Sequence, residues 1–535
     1  MSKRITNVKS GKSSAKKILS IIAVVLAFVI VVGSVSVFAM IDNGFVQRHT
    51  VAMSSENYEV SSAMMNYYFN TLYRNYASTL TSMGLDTSKS LKEQDYISGE
   101  QTWYDYLMSM TKSQVEQLLV LCEAAKAEGF KLEDVDVEGH DHSPEETLAA
   151  MKTVASQSGV TLNVYLEYYY GKGVNEKVFR ECYEMSELAS HYSEHITDQY
   201  SFTEEEWENY YKENLDTFRK VDYLTYTFQV EKAEVKKDAT DEEKAAAEAL
   251  DKEEAARLEI LANELTATTT PEAFKAYVDN YLRTDLYADE LAAQADADKA
   301  KDDKTEKIDV EAEVEACLKT GATNSATSDL NKWLFDDKRV ANETYQTKGS
   351  DGLSFTVYMI LPAADTTDIG YACMYRDTYN LKNIRYIPFT VADYNNSAED
   401  AKTAAEEVFE TYNDDPTEDT FANLADELGD GTYAGGLVEG ADKGAFGDEG
   451  DAWLYDSARK KGDCTIVSDD KGSYMLYYIG DNDLKWQVQA DSALKEAKYN
   501  EDYEALSVKY PCKTFKKGIE FVTEVEVATD TTSVG

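Results

Sequence analysis

The amino-acid sequence predicts an α+β multidomain chain with an N-terminal transmembrane helix, an all-α region and two copies of one α+β domain. Three observations carry this. An uncharged apolar run, residues 18–41, follows a basic start; helical periodicity fills residues 60–218; and from 221 onward alternating strands and helices recur in one order.

Residues 1–17 carry Lys3, Arg4, Lys9, Lys12, Lys16 and Lys17 and no acid. The run that follows would make roughly 36 Å of helix, enough to cross a hydrocarbon core. The basic flank predicts that the bulk of the chain lies on the far side of the membrane. A cleaved signal is the alternative, with Val37-Phe38-Ala39 offering the small residue a peptidase requires. The formal charge of the whole chain is −46, and without the six leading bases the remainder is more acidic still. Such a surface repels nucleic acid and leaves cationic or apolar partners. The six cysteines are scattered with no Cys-x-x-Cys, so the spacing selects no pairing; buried free thiols are the preferred reading.

After a linker and short strand (42–60), residues 62–80 form an aromatic-rich helix. In 111–130, Val115, Leu118, Leu119 and Cys122 fall on one stripe and Gly129 supplies the stop. The segment from Ser143 starts with a cap, Pro144 and two acids, as a helix start should. Further helices start at Thr161 and run over 175–200 and from Thr203. At 221–230 the period changes to two, which predicts a strand. A charged helix (about 239–267), a shorter one (271–283), a polar acidic segment (285–316), a Trp333 segment and a strand (353–362) follow. The order restarts with a strand at 383–391, two helices, a glycine-rich stretch, a Trp453 segment and a strand from Ser473; a helix over 484–508 and a tail finish the chain.

Trp333-Leu334-Phe335-Asp336 and Trp453-Leu454-Tyr455-Asp456 lie 120 residues apart, as do Gly352 and Gly472. With only five Trp in the chain, this echo marks a duplication, the first copy carrying an insertion in its charged middle. Trp453 reads first as a packed corner and second as a pocket wall.

The second copy resembles the parvulin-type (PpiC) peptidyl-prolyl isomerases. The motifs are Ile384-Arg385-Tyr386-Ile387, Phe421-x-x-Leu424-Ala425, Gly435-Gly436-Leu437 and Gly472-Ser473-Tyr474. The helical region looks like the N-terminal chaperone part of PrsA- and SurA-like extracytoplasmic foldases, with Tyr211-x-x-Asn214-x-x-x-Phe218 at its junction. The resemblance implies two pocket histidines on adjacent strands. Tyr386 and Tyr474 stand there in the second copy, Tyr223 and Ser354 in the first, and none of the five His lies beyond His195. Prolyl isomerisation breaks no bond; it requires an apolar, desolvating pocket that holds a twisted amide, against a barrier of about 18–20 kcal/mol. Tyrosine keeps an aromatic wall and a donor but not a tuned imidazole. Phe446 and Trp453 are the further pocket candidates, and Tyr67, Tyr68 and Tyr73 the candidates for client contact in the helical region, whose aromatics cannot all face one side.

Other constellations are weaker. His191 and His195 share a helix face without a third ligand. Gly139-His140-Asp141-His142 reads as a polar turn, and the glycine-rich 429–436 lacks the Lys of a phosphate loop. No cofactor and no metal are implied. The expected domains are 1–41 (anchor or signal), 42–220 (helical, chaperone-like), 221–362 (divergent parvulin-like), 383–481 (parvulin-like) and 482–535 (helix and tail). The expected function is an extracytoplasmic foldase or holdase that is tethered to the membrane or, after cleavage, secreted. Its partners would be unfolded or newly secreted polypeptides; an active isomerase using Tyr386 and Tyr474, or an envelope scaffold, are the alternatives.

Overall fold

The structure, a computed structural model, describes residues 43–97, 99–132, 144–232, 235, 239–300, 308–324, 327–363, 370–429 and 433–526. The chain forms two compact units, Met1–Ser201 with Lys495–Gly535, and Phe202–Leu494. The fold is α+β with three sheets. The transmembrane helix expected over 18–41 lies outside the described residues. Among the described residues no helix is long and apolar enough to cross a membrane, so the fold class is corrected to omit it.

The first unit contains β1 (Val51–Ser54), β2 (Glu59–Ser61), α1 (Ser62–Ser82), α2 (Trp103–Glu128), α3 (Glu145–Gln157), α4 (Leu162–Tyr170) and α5 (Glu176–Thr197). Ser61 caps α1 by accepting the Met64 N–H, and Thr102 with Asp105 forms a capping box on α2. Val115, Leu118, Leu119 and Cys122 are buried against Val178, Phe179 and Cys182 of α5. The unit is not all-α. β1 pairs antiparallel with β2 on one side and with the C-terminal strand Lys513–Thr514 on the other. The expectation missed this because the third strand is two residues long and arrives from the far end of the chain.

The second unit begins with α6 (Glu204–Glu213) and holds two sheets. The first comprises β3 (Lys220–Gln229), β4 (Leu318–Thr323), β5 (Thr344–Lys348) and β6 (Ser354–Ile360), with α7 (Asp241–Thr266), α8 (Pro271–Tyr281) and α9 (Asp329–Leu334); β7 (Met374–Tyr375) adds to β3. The second comprises β8 (Asn380–Thr390), β9 (Leu437–Ala441), β10 (Cys464–Ser468) and β11 (Gly472–Leu484), with α10 (Ala398–Asn413), α11 (Glu418–Leu428) and α12 (Gly447–Leu454). The orders are β5-β6-β3-β4 and β10-β11-β8-β9, every pair antiparallel. They correspond strand for strand. Part of the polar 285–316 is also helical, at Ala288–Ala300 and Val310–Glu315.

Alternation gives each sheet two cores. On the helix side Ile387, Phe389 and Met475 pack with Phe421 and Ala401, as Leu224, Phe228 and Val357 pack with Leu258 and Phe274. On the other side Ile384, Leu476 and Tyr478 meet Leu454, as Val221 and Ile360 meet Leu334. Arg376 and Asp377, just before the second copy, are held by several partners. The Arg376 guanidinium lies between the rings of Tyr211 (4.1 Å) and Trp486 (3.9 Å), the latter on α13 (Lys485–Lys509). Lys220 and Lys485 both reach Asp377, at 2.5 and 3.2 Å.

Candidate functional site

The face of the second sheet opposite α10 and α11 carries a cradle of aromatic rings. Tyr386 on β8 pairs with Leu476, and Tyr474 on β11 pairs with Pro388, so both tyrosines project from the same face. Phe446, just before α12, lies between them, its ring 5.8 Å from Tyr386 and 5.4 Å from Tyr474. Tyr433 adds a fourth ring, 5.9 Å from Tyr386, and is 46% exposed. Its approach depends on the Gly435-Gly436 turn. Gly436 has φ +66°, and a Cβ there would stand 2.3 Å from the Tyr386 carbonyl oxygen. Only glycine lets the chain pass so close to β8.

The polar edge of the cradle is sparse. The Tyr474 hydroxyl donates to Asp469 Oδ1 at 3.3 Å, and the same oxygen accepts the N–H groups of Lys471 (2.8 Å) and Gly472 (3.1 Å). Burial, and then the Asp469 carboxylate, push the Tyr474 phenol up to about 12. It therefore stays a neutral donor at physiological pH. What the cradle can do is desolvate an apolar segment, stack rings on it and offer a hydroxyl edge.

Trp453 belongs to a corner rather than to the open cradle. Its ring carries the Arg459 guanidinium at 4.0 Å, and Arg459 Nε donates to the Trp453 carbonyl at 3.0 Å. Arg459 also pairs with Asp463 at 3.1 Å. The first copy repeats this: Arg339 lies over Trp333 at 5.3 Å and pairs with Glu343 at 3.1 Å. The recurring unit is therefore longer than the Trp-Leu-aromatic-Asp echo. The arginine and the acid, 120 residues apart like the tryptophans, were the missed signal. Tyr433 was missed as well; an aromatic residue just before a Gly-Gly turn was the clue.

Strand pairing changes which residues of the first copy correspond to Tyr386 and Tyr474. Asn342 N–H donates to the Ile360 carbonyl and Ile360 N–H to that of Glu343; Gly462, Tyr478 and Asp463 make the same pair of bonds. Ile360 thus occupies the place of Tyr478, and Thr356 that of Tyr474. Asp222 accepts the Gly321 N–H as Asn383 accepts that of Gly440, so Thr225 occupies the place of Tyr386. The expected Ser354 is displaced because the hairpin between β5 and β6 is two residues longer than that between β10 and β11; Tyr223 is displaced because the apolar-x-Tyr match sets it two residues early on β3, where it pairs with Ile360 rather than with Tyr358. Gly352 and Gly472 are not equivalent. The first copy has threonines where the second has its two cradle tyrosines.

In the helical unit the three tyrosine candidates do not form an open surface. Tyr73 is 2% exposed and packed in the core. Tyr68 is buried and donates to the Cys182 carbonyl at 3.2 Å, while Tyr67 stacks with Tyr170 (4.8 Å) and Phe179 (5.7 Å). Burial raises the phenols of Tyr67 and Tyr68. Tyr68 does form part of a cleft of about 470 Å³ whose lining includes Leu118, Leu121, Ala189 and Gln117. His191 is occupied by Glu194 (2.9 Å) and Glu187 (3.6 Å). No group of residues that could hold a metal occurs among the described residues. His140 and His142 lie outside them.

No family model matches the chain, and no curated protein matches it. Among solved structures it is similar to the peptidylprolyl isomerase PrsA from Bacillus anthracis, at 16% identity and a TM-score of 0.16. That likeness covers 25% of this chain and 61% of the other, and carries no argument about function.

Proposed function

We propose that this protein is an extracytoplasmic folding factor that binds unfolded polypeptide, with the second sheet domain as its client-contacting module. The observation that carries the proposal is the Tyr386–Phe446–Tyr474 cradle, with the exposed Tyr433 at its rim. Aromatic walls on a β-face suit a proline ring or another apolar side chain, and they bind by desolvation and stacking without demanding one sequence. The motifs that resemble parvulins surround this cradle. The contrast with the first copy, with Thr225 and Thr356 at the two tyrosine positions, supports a scaffolding role for that copy. The location rests on the basic start and apolar run of residues 1–41.

The test is light scattering of an aggregating client with the full chain and with Tyr386→Ala. The intact chain should suppress aggregation and the variant should do so several-fold less well at equal concentration. Equal suppression by both would remove the cradle from the function. NMR exchange on a proline peptide measures isomerisation separately. Acceleration above buffer that is lost in Tyr474→Phe would favour an active isomerase in which the Tyr474 hydroxyl takes part.

A further inference from the structure

The C-terminal segment 522–526 lies along α1 and is held almost wholly by its main chain. Thr523 N–H donates to Asn66 Oδ1 at 2.8 Å, and its carbonyl accepts from Asn70 Nδ2 at 3.0 Å. Val525 N–H donates to Asn70 Oδ1 at 2.9 Å, and the Glu526 carbonyl accepts from Arg74 Nη2 at 3.2 Å. The Tyr104 hydroxyl donates to the Val522 carbonyl at 2.8 Å. Asn66, Asn70 and Arg74 stand four apart on one helix face, a rise of about 6 Å per step. Alternate residues of an extended chain advance by about 6.6 Å. The two spacings match closely enough for Asn66 and Asn70 to bind the main chain of Thr523 and Val525, and Arg74 takes the next carbonyl, that of Glu526.

Side chains contribute little to this grip. Val522 is fully buried, whereas Thr523 and Glu526 are exposed and Glu524 and Val525 half-buried. The Glu524 carboxylate adds a side-chain bond, accepting the Leu91 N–H at 3.1 Å. Recognition of this kind requires one apolar residue followed by any extended backbone. The segment completes the bonding of the row. Asn66 Nδ2 also donates to the Lys172 carbonyl at 2.8 Å and Asn70 Nδ2 to those of Asn66 (3.0 Å) and Tyr170 (2.9 Å), whereas the two Oδ1 atoms are satisfied by the Thr523 and Val525 N–H groups, and buried polar atoms without partners are costly.

We propose that the row Asn66–Asn70–Arg74 is a binding site for extended polypeptide, and that residues 522–526 occupy it as an intramolecular competitor. Residues 513–519 form the fixed anchor: Lys513–Thr514 pair with β1, and Gly518 packs where a Cβ would stand 2.1 Å from the Val51 carbonyl oxygen. The segment beyond is the exchangeable part. An unfolded client gains the site by displacing it, strand for strand. This deepens the folding-factor reading and rests on it.

The test uses a fluorescein-labelled peptide of residues 520–526 and the full chain. Val522→Asp expels the resident segment, so the variant should bind the peptide at least about tenfold more tightly than the natural chain. Adding Asn70→Ala to that variant should abolish the gain. In the natural chain, saturating peptide should speed hydrogen exchange at the amides of Thr523 and Val525 while α1 stays protected. Equal binding with and without Val522→Asp, or a gain that survives Asn70→Ala, overturns the proposal. Should Val522→Asp fail to fold, unchanged exchange at Thr523 and Val525 overturns it alone. None of these readouts involves the cradle, so a failure here is distinct from equal client suppression by Tyr386→Ala.

Discussion

Tyr386 and Tyr474 decide what chemistry the cradle can perform. The Tyr474 phenol, raised by burial and by the neighbouring Asp469 carboxylate, does not change charge between pH 5 and 9, so its part in client binding should be flat across that range when followed by anisotropy. The sign at alkaline pH follows from the raised Tyr474 phenol. The folded state holds its proton more tightly than the unfolded chain, whose phenols titrate near 10, so this contribution to stability is intact below pH 10 and lost as pH rises toward about 12. A denaturation series across that window should show stability falling, and Tyr474→Phe should flatten the fall. Replacing both tyrosines, Tyr386→His with Tyr474→His, should introduce a pH dependence between 6 and 7 in any isomerase rate, read by NMR exchange. At the corner, Arg459→Ala removes a cation–ring contact and a hydrogen bond to a carbonyl and should cost about 1–2 kcal/mol in urea denaturation. That Tyr386 and Tyr474 share one face of adjacent strands was legible because they stand in motifs with fixed neighbours. Tyr73 was misjudged because an aromatic count does not say which side of a helix meets the core.

At the scale of elements, the long central strands were readable and the edge strands were not. β8 and β11 are covered on both faces and read as long runs rich in Ile, Tyr, Phe, Met and Leu between turn residues. β4 and β10 are short and rich in Thr, Gly, Lys and Cys, and they exist because β3 and β11 present unpaired main-chain groups to them. Their register also escaped the sequence. An echo at 120 residues aligns the corners, but two extra hairpin residues shift the last strand relative to its partner, and only hydrogen bonds reveal that. The Gly435-Gly436 turn is the element on which the cradle's rim depends. Gly436→Ala forces a Cβ toward the Tyr386 carbonyl at a left-handed φ and should destabilise the domain by about 1–3 kcal/mol. Denaturation measures that cost, and weaker client binding would accompany it as Tyr433 moves away.

At the scale of the whole molecule, the duplication was legible and the return of the C-terminus was not. Nothing in the composition of 513–526 announces a partner more than 400 residues earlier; the pairing of Thr514 with Met53 and the bond from Ser62 to the Gly518 carbonyl appear only in the fold. A chain ending after Pro511 should lose hydrogen-exchange protection in β1 and α1 while the two sheets of the second unit keep theirs. Equal protection in both units would show that the returning segment is dispensable.

That return also sets an order of events during synthesis. Asn66 and Thr523 are 457 residues apart. At the usual pace of about 5–20 residues per second, roughly 20–90 s pass between the appearance of the helix row and of the segment that fills it. The helix row is made long before the segment that covers it, and for that interval Asn66 and Asn70 lack their bonds to Thr523 and Val525.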